Sequence, residues 1–332
     1  MNLTFFETEP WEEEYIKQNL KNHKITFIKD EISEKTAELA KDSEIISVFI
    51  YSRIDKQILS KLPKLKAIAT RSTGFDHINT KACKARNIMV SNVPTYGENT
   101  VAEHTFALIL ALSRKICKSY DRAVRGNFSL EGLRGFDLKG KTIGIIGLGH
   151  IGNHVARIAK GFEMKILALD NHKSQNLAKK LGLKFTYLEN LLKSSDIVTL
   201  HVPYNKATHH LINEKTIKLM KKGSIIINTS RGGIIETGAL VKALSNKKIG
   251  GAGLDVLEEE SLIKEEAQLL SKNFSKEKLE NLIENHMLLT FENVIITPHN
   301  AFNSKEALQR ILGTTIENIK CVTKGKCENI VK

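Results

Sequence analysis

The chain has 332 residues and a formal net charge of +13, with 41% hydrophobic and 26% charged residues. That composition is globular, and the length corresponds to about two domains. The longest apolar run, Phe106 to Leu112, falls far short of the ~20 residues that a bilayer span needs, so no membrane partner is expected.

The N-terminus, MNLTFFETEPWEEE, turns acidic early and has no basic region before an apolar core. No secretory signal is read there, and a cytoplasmic location is expected. Cys83, Cys117, Cys321 and Cys327 form no CxxC, and no histidine stands at finger spacing from them. Reduced structural thiols are expected, and no metal site. The lysines are scattered (Lys17, Lys64, Lys141, Lys179, Lys247, Lys324) rather than gathered in a block. A solvated basic surface accounts for the charge, which still attracts anionic substrates and cofactors. A nucleic-acid role would rest on charge alone, so no nucleic-acid partner is expected.

In chain order, strands are expected at Glu44–Tyr51, Leu65–Thr70, Ile88–Ser91, Thr142–Ile146, Lys165–Asp170, Asp196–His201, Ser224–Asn228, Gly250–Asp255 and Val294–Thr297. They alternate with helical stretches, the pattern of βαβ units around a parallel sheet. Runs such as TIGII, DIVTL and SIIIN are apolar on both faces, as buried parallel strands are. A helix is expected from about Thr100 to Cys117. Its segment FALILAL is apolar all round, which predicts burial on every side, between domains, against a dimer partner or within one core. Pro94, Pro203 and Pro298 each end or closely follow an expected strand. Ligands of open α/β sheets bind there, although simple strand termination explains any one of them.

Gly147-Leu-Gly149-His-Ile-Gly152 is a G-x-G-x-x-G run between an expected strand and a helical stretch, NHVARIAKGF. The next strand ends in Asp170, 18 residues beyond Gly152 (170 − 152), near the roughly 20 expected of a ribose-binding carboxylate. The first glycine permits the tight turn, the second lets backbone approach a pyrophosphate, and the third lets helix and strand pack closely. The helix N-terminus then meets the phosphates with free N–H groups. Asp170 favours NAD by repelling a 2′-phosphate, while nearby Lys173 weakens that preference.

Four further strand-end segments, LHVPYNKATHHLIN, NTSRGG, GLDVLEEE and ITPHNAF, converge on one sheet edge if the strands are parallel. They offer Arg231, Asp255, a glutamate of the EEE run, and His299. That set suits hydride transfer to a 2-keto acid. The developing alkoxide needs a proton, which a histidine can donate. A carboxylate favours and orients the imidazolium, and an arginine fork holds the substrate carboxylate. His201 competes with His299 for the acid role. His104, in the apolar helix, reads as structural. His209 and His210 lack a third partner at metal spacing and read as polar residues at a helix start.

These motifs, in order and over nearly the whole chain, resemble the D-2-hydroxyacid dehydrogenase family, and within it the lactate dehydrogenase subgroup. The resemblance implies that Arg231, Glu260 and His299 are catalytic, Arg231 holding the substrate carboxylate and His299 donating the proton. It places Glu260 five residues after Asp255, with Glu259 the alternative because a family proline is missing after this run. It implies cofactor contacts at Gly147, Gly149, His150, Ile151, Gly152, Asp170, Val202, Pro203, Thr208, Thr229, Ser230, Arg231 and Asp255. Substrate contacts are implied at Thr73 and Gly74 in RSTGFDHI, at Tyr51 and Tyr96, and at Arg231, with Arg71 also matching the lactate subgroup. The implied fold is α/β: two Rossmann-like doubly wound parallel-sheet domains. Residues 1–99 plus 300–332 form the discontinuous substrate-binding domain, and an NAD-binding domain, 100–299, is inserted into it. The long helix resembles the family's dimer arm, so a homodimer is expected. The implied reaction joins NADH to a small 2-keto acid, pyruvate to D-lactate first. Another 2-keto acid (hydroxypyruvate, glyoxylate or a branched-chain keto acid) is the alternative, and a non-catalytic NAD(H)-sensing protein is the rival of another class. The stretch Ser261–Phe291 reads as charged and helix-like.

Overall fold

The computed structural model describes residues 1–260, 276–324 and 327–331; part of the charged stretch, 261–275, lies outside them. The chain forms two compact units, Met1–Tyr96 with Ser304–Lys332, and Gly97–Asn303.

The first unit is built on a five-stranded parallel sheet. Its strands are β1 (Asn2–Phe6), β2 (Lys24–Ile28), β3 (Ile45–Val48), β4 (Ala67–Thr70) and β5 (Met89–Ser91), in the order β2-β1-β3-β4-β5. This is the doubly wound order with its switch between β1 and β3. Side chains alternate between faces, so Phe6, Ile46, Val48 and Ile68 pack with the short helices after β2, β3 and β4. Leu3, Phe5, Ile45 and Ala69 pack instead against Ile16 and Leu20 of helix Pro10–Asn19 and Leu312, Ile316 and Ile319 of helix Lys305–Lys324. Each such aliphatic side chain stabilises the fold by roughly 1.5–3 kcal/mol on burial, which is what holds the C-terminal return onto the N-terminal sheet. The last residues add to the edge of β5: Asn92 N–H donates to Asn329 O at 3.1 Å, and Val331 N–H to Val90 O at 2.9 Å.

The second unit holds a seven-stranded parallel sheet. Its strands are β6 (Thr142–Ile146), β7 (Lys165–Leu169), β8 (Leu183–Phe185), β9 (Ile197–Leu200), β10 (Ser224–Asn228), β11 (Ile249–Leu254) and β12 (Val294–Ile296). The order is β12-β11-β10-β9-β6-β7-β8, so the winding reverses between β6 and β9. Ile225 and Ile227 face one core and Ile226 the other, each buried, which is why SIIIN is apolar throughout.

Several expectations are corrected. β1, β2 and β8 were not anticipated; β2 has no fully buried residue and β8 has only three residues. β3 ends at Val48, which puts Tyr51 in a loop. The long helix spans Glu98–Ser113, stops at Lys115 (φ +56°) and resumes as Ile116–Val124. The break has a cause: Phe136 N–H takes the Ser113 carbonyl at 3.0 Å. The first segment packs within its own unit and leaves Ala107 exposed in the single chain. The reduced-thiol expectation fails for one pair. Cys321 and Cys327 form a disulfide, their Cα atoms 5.1 Å apart, well within bridging reach. Cys83 and Cys117 are free. No described helix is long and apolar enough to cross a membrane.

Candidate active site

In the second unit the candidate residues gather at the carboxyl ends of β6, β7, β9, β10, β11 and β12. Gly147 follows β6 with φ +92°, and a Cβ there would lie 2.4 Å from the O of His201, which follows β9. Only glycine admits both the left-handed turn and that approach. A Cβ on Gly152 would lie 2.0 Å from Gly147 O, whereas one on Gly149 would meet nothing within 4 Å. The loop is therefore tight against the protein at its first and third glycines and open at its second. Helix His150–Gly161 starts there, so its free N–H groups border that open space, a cradle that fits a pyrophosphate. The Asp170 carboxylate accepts from Leu148 N–H at 2.5 Å and His172 N–H at 2.7 Å. It is thereby fixed at the end of β7, where a ribose would lie. Lys173 stands over the Tyr187 ring, Nζ 4.9 Å from its centre.

After β9, Val202, Pro203 and Thr208 share one turn, in which the Thr208 hydroxyl donates to Pro203 O at 2.6 Å. After β10, the Ser230 hydroxyl donates to Leu200 O at 2.6 Å, and the Thr229 hydroxyl lies 3.1 Å from that of Thr105. Arg231 follows. Its backbone carbonyl accepts from Asn228 Nδ2 at 2.9 Å, and its own guanidinium donates to Ser230 O at 2.7 Å.

Asp255, 1% exposed, directs its carboxylate inward. Oδ1 accepts from the Thr297 hydroxyl at 2.5 Å and Asn300 N–H at 2.9 Å, and Oδ2 from Ala301 N–H at 2.9 Å. Its carbonyl accepts His299 N–H at 2.9 Å. Asp255 thus builds the turn that holds His299 at φ +53°. His104, expected to be structural, supports the same turn with Nε2 3.0 Å from Thr297 Oγ1.

His299 Nδ1 lies 3.3 Å from Glu260 Oε2, and both side chains are 24% exposed. Geometry separates two of the three glutamates. Glu258 is engaged by His210 Nε2 at 2.6 Å and by the Thr237 hydroxyl at 3.0 Å, and Glu260 is the one that meets His299. The His209–His210 expectation is corrected: the pair sits in a turn before helix Glu214–Leu219, not at its start. His209 Nδ1 meets the Tyr204 hydroxyl at 3.0 Å. Among the described residues no group of His, Cys, Asp and Glu is arranged to hold a metal.

His201 contrasts with His299. Part of the residue reaches solvent, but Nδ1 is buried without a partner and Nε2 meets Thr199 Oγ1 at 2.9 Å. Burial disfavours the imidazolium and pulls its pKa down to about 3, so at neutral pH it has no proton to give as an acid.

In the first unit Tyr51, Thr73, Gly74 and Tyr96 follow β3, β4 and β5, three adjacent strands. The Thr73 hydroxyl donates to Val93 O at 2.8 Å, and Thr73 O accepts from Asn92 Nδ2 at 2.8 Å. Among the described residues neither Thr73 N–H nor Gly74 N–H has a hydrogen-bond acceptor. Two adjacent donors of this kind suit a carboxylate.

Residues 106–301 match the family described as D-isomer specific 2-hydroxyacid dehydrogenase, NAD binding domain. The chain is 36% identical over 337 residues to the D-lactate dehydrogenase of Escherichia coli (strain K12), covering 99% of both chains. It is also 36% identical over 322 residues to a glyoxylate reductase of Pyrococcus furiosus, covering 94% of this chain and 85% of the relative. Among solved structures, the D-lactate dehydrogenase of Aquifex aeolicus complexed with NAD and lactic acid is similar with a TM-score of 0.88 and 38% identity, covering 98% and 96% of the two chains.

Proposed function

Since the chain belongs to the D-isomer specific 2-hydroxyacid dehydrogenases, NAD-dependent oxidoreductases acting on a CH–OH group, we propose that it reduces pyruvate to D-lactate. In this reading Gly97–Asn303 holds NAD through the glycine loop, Asp170 and the turns at Val202–Thr208 and Thr229–Arg231. The other unit binds the keto acid through Tyr51, the Thr73 and Gly74 N–H groups and Tyr96. When bound, the cofactor supplies the hydride that adds to C2. Arg231 holds the carboxylate in bidentate fashion and polarises the carbonyl. His299 donates the proton that the new alkoxide takes.

The observation that carries this is the His299–Glu260 contact. With Nδ1 on the carboxylate, Nε2 is left as the atom that faces substrate, and Glu260 sets the ring's orientation. Pyruvate rather than a bulkier acid is supported by Tyr51 and Tyr96, and by likeness to proteins named D-lactate dehydrogenase. The equal identity to a glyoxylate reductase favours glyoxylate as the second substrate to test. Homodimerisation is supported by helix Ile116–Val124, which buries none of its residues and exposes Ile116, Tyr120 and Val124 on one stripe beside Phe128 and Leu130. A monomer mass by light scattering would remove that partner.

The test is NADH oxidation with pyruvate, glyoxylate, hydroxypyruvate and 2-ketoisocaproate, on wild type and His299→Ala. The expected result is highest kcat/KM with pyruvate, D-lactate as product, and a loss of ~10²–10⁴ in kcat for His299→Ala with NADH affinity retained. Full activity in that variant sinks the assignment of the acid.

A further inference from the structure

The loop that carries Tyr51 and the loop that carries Thr73 and Gly74 share an anchor that no motif marks. Glu7 directly follows β1 and takes φ +55°, a left-handed conformation that a non-glycine residue holds only where its surroundings require it. Its N–H donates to Asp30 O at 3.2 Å, and its side chain crosses the end of β3. There one carboxylate gathers three donors of a single loop. Oε2 accepts from Phe49 N–H at 2.8 Å and from the Ser52 hydroxyl, and Oε1 accepts from Tyr51 N–H at 2.9 Å. Ser52 Oγ in turn accepts Ile32 N–H at 3.0 Å.

The backbone of the same residue holds the second loop. Glu7 O accepts from the Arg71 guanidinium at 2.6 Å, which also donates to Phe6 O at 2.7 Å and Ser47 Oγ at 3.1 Å. Arg71 is 1% exposed and immediately precedes Ser72-Thr73-Gly74. A buried guanidinium is tolerable only when its donors and charge are matched. Two carbonyls and the Ser47 hydroxyl accept from it, while Glu12 and Glu7 supply countercharge.

We infer that Glu7 is a positioning residue for the substrate, its carboxylate and carbonyl together setting the Tyr51 loop against the Arg71–Gly74 loop. This rests on the reading above that those loops bind the keto acid. The chemistry of the site supports a carboxylate here rather than an amide. Three donors and a nearby guanidinium absorb the charge, so an anionic substrate is not repelled. A glutamine would turn an NH₂ toward either the Tyr51 N–H or the Phe49 N–H and Ser52 hydroxyl pair, opposing donor to donor. An aspartate keeps the charge but is one methylene short.

The experiment uses the full-length enzyme with Glu7→Gln and Glu7→Asp. It measures steady-state kinetics with NADH and pyruvate, NADH affinity by fluorescence, and amide hydrogen exchange. Loop misplacement of this kind is expected to raise the keto-acid KM about tenfold or more in Glu7→Gln. The changes in kcat and NADH affinity should stay within about twofold to threefold, and the amides of residues 49–52 should exchange selectively faster. Glu7→Asp should fall between Glu7→Gln and wild type. An unchanged KM with unchanged exchange overturns the inference. So does a parallel loss of kcat, NADH affinity and thermal stability, which marks a general structural role. If wild type itself reduces no keto acid, the substrate reading has failed on its own account. Exchange then decides whether Glu7 holds the loop: selective acceleration at 49–52 upholds the anchor and an unaltered pattern removes it.

Discussion

The two units carry their candidate ligand groups at the same place, the carboxyl ends of parallel strands, but hold those loops by different means. In Gly97–Asn303 the loop after β6 is shaped by missing side chains: Gly147 clears His201 O, and Gly152 clears Gly147 O. In the N-terminal unit the loops after β3 and β4 are held by side chains that reach across the sequence. The Glu7 carboxylate binds backbone 42 residues away, and the Arg71 guanidinium binds a carbonyl 65 residues away. A loop made by close backbone approach tolerates no added atom, while a loop made by side-chain bonds tolerates change wherever another donor or acceptor can substitute.

The sharpest way to break this comparison is with two alanines in one loop. Gly152→Ala places its Cβ within 2.0 Å of Gly147 O, and overpacking of that sort costs about 1–3 kcal/mol or more. Thermal denaturation should show a marked fall in Tm together with loss of NADH binding. Gly149→Ala has open space around its Cβ, so Tm should hold while NADH affinity falls about tenfold, because the cofactor is what needs the space. Equal effects of the two substitutions on Tm would refute the assignment of that space.

An effect smaller than that of Gly152→Ala is expected at Asp170, which combines both modes. Its carboxylate shapes the glycine loop through Leu148 N–H and, in the proposed reading, repels a 2′-phosphate. Asp170→Ala should weaken NADH by about tenfold, roughly 1.4 kcal/mol, and narrow the preference for NADH over NADPH. Unaltered discrimination in fluorescence titrations would move that preference elsewhere.

At neutral pH the effect of His201 on stability is the smallest, and it grows as pH falls. His201 has a folded pKa of about 3, depressed from about 6.5 in the unfolded chain. The unfolded state therefore binds the extra proton between those values. The contribution is fully present above about pH 6.5 and is lost as pH falls towards 3, at up to about 1.4 kcal/mol per pH unit. His201→Asn should flatten that dependence in urea unfolding between about pH 6.5 and 4. An identical slope in both proteins would show that His201 charges freely.

Much of the second unit was legible because its requirements are local. A β-branched run followed by Gly147-Leu-Gly149-His-Ile-Gly152 demands one backbone path, and Asp170 closes the next strand within the same βαβ unit. His299 and Arg231 stand out for the same reason, each at the end of an apolar run. The halt of the helix at Lys115 was not legible, because its cause, the capture of Ser113 O by Phe136 N–H, lies outside the helix. Nor was the Cys321–Cys327 pairing, for spacing alone does not say whether two Cα atoms come within bridging distance.

The sequence by itself determined the parallel α/β architecture, the glycine cradle and the residue types suited to hydride and proton transfer. Periodicity and steric demand act between near neighbours, so they are written in order along the chain. Only the tertiary structure decided which glutamate meets His299, that the His201 ring is buried enough to stay neutral, and that Glu7 binds the loops bearing Tyr51 and Thr73. Those outcomes depend on distances between segments far apart in the chain and on how much water each group keeps. Packing sets both quantities, and no local pattern records them.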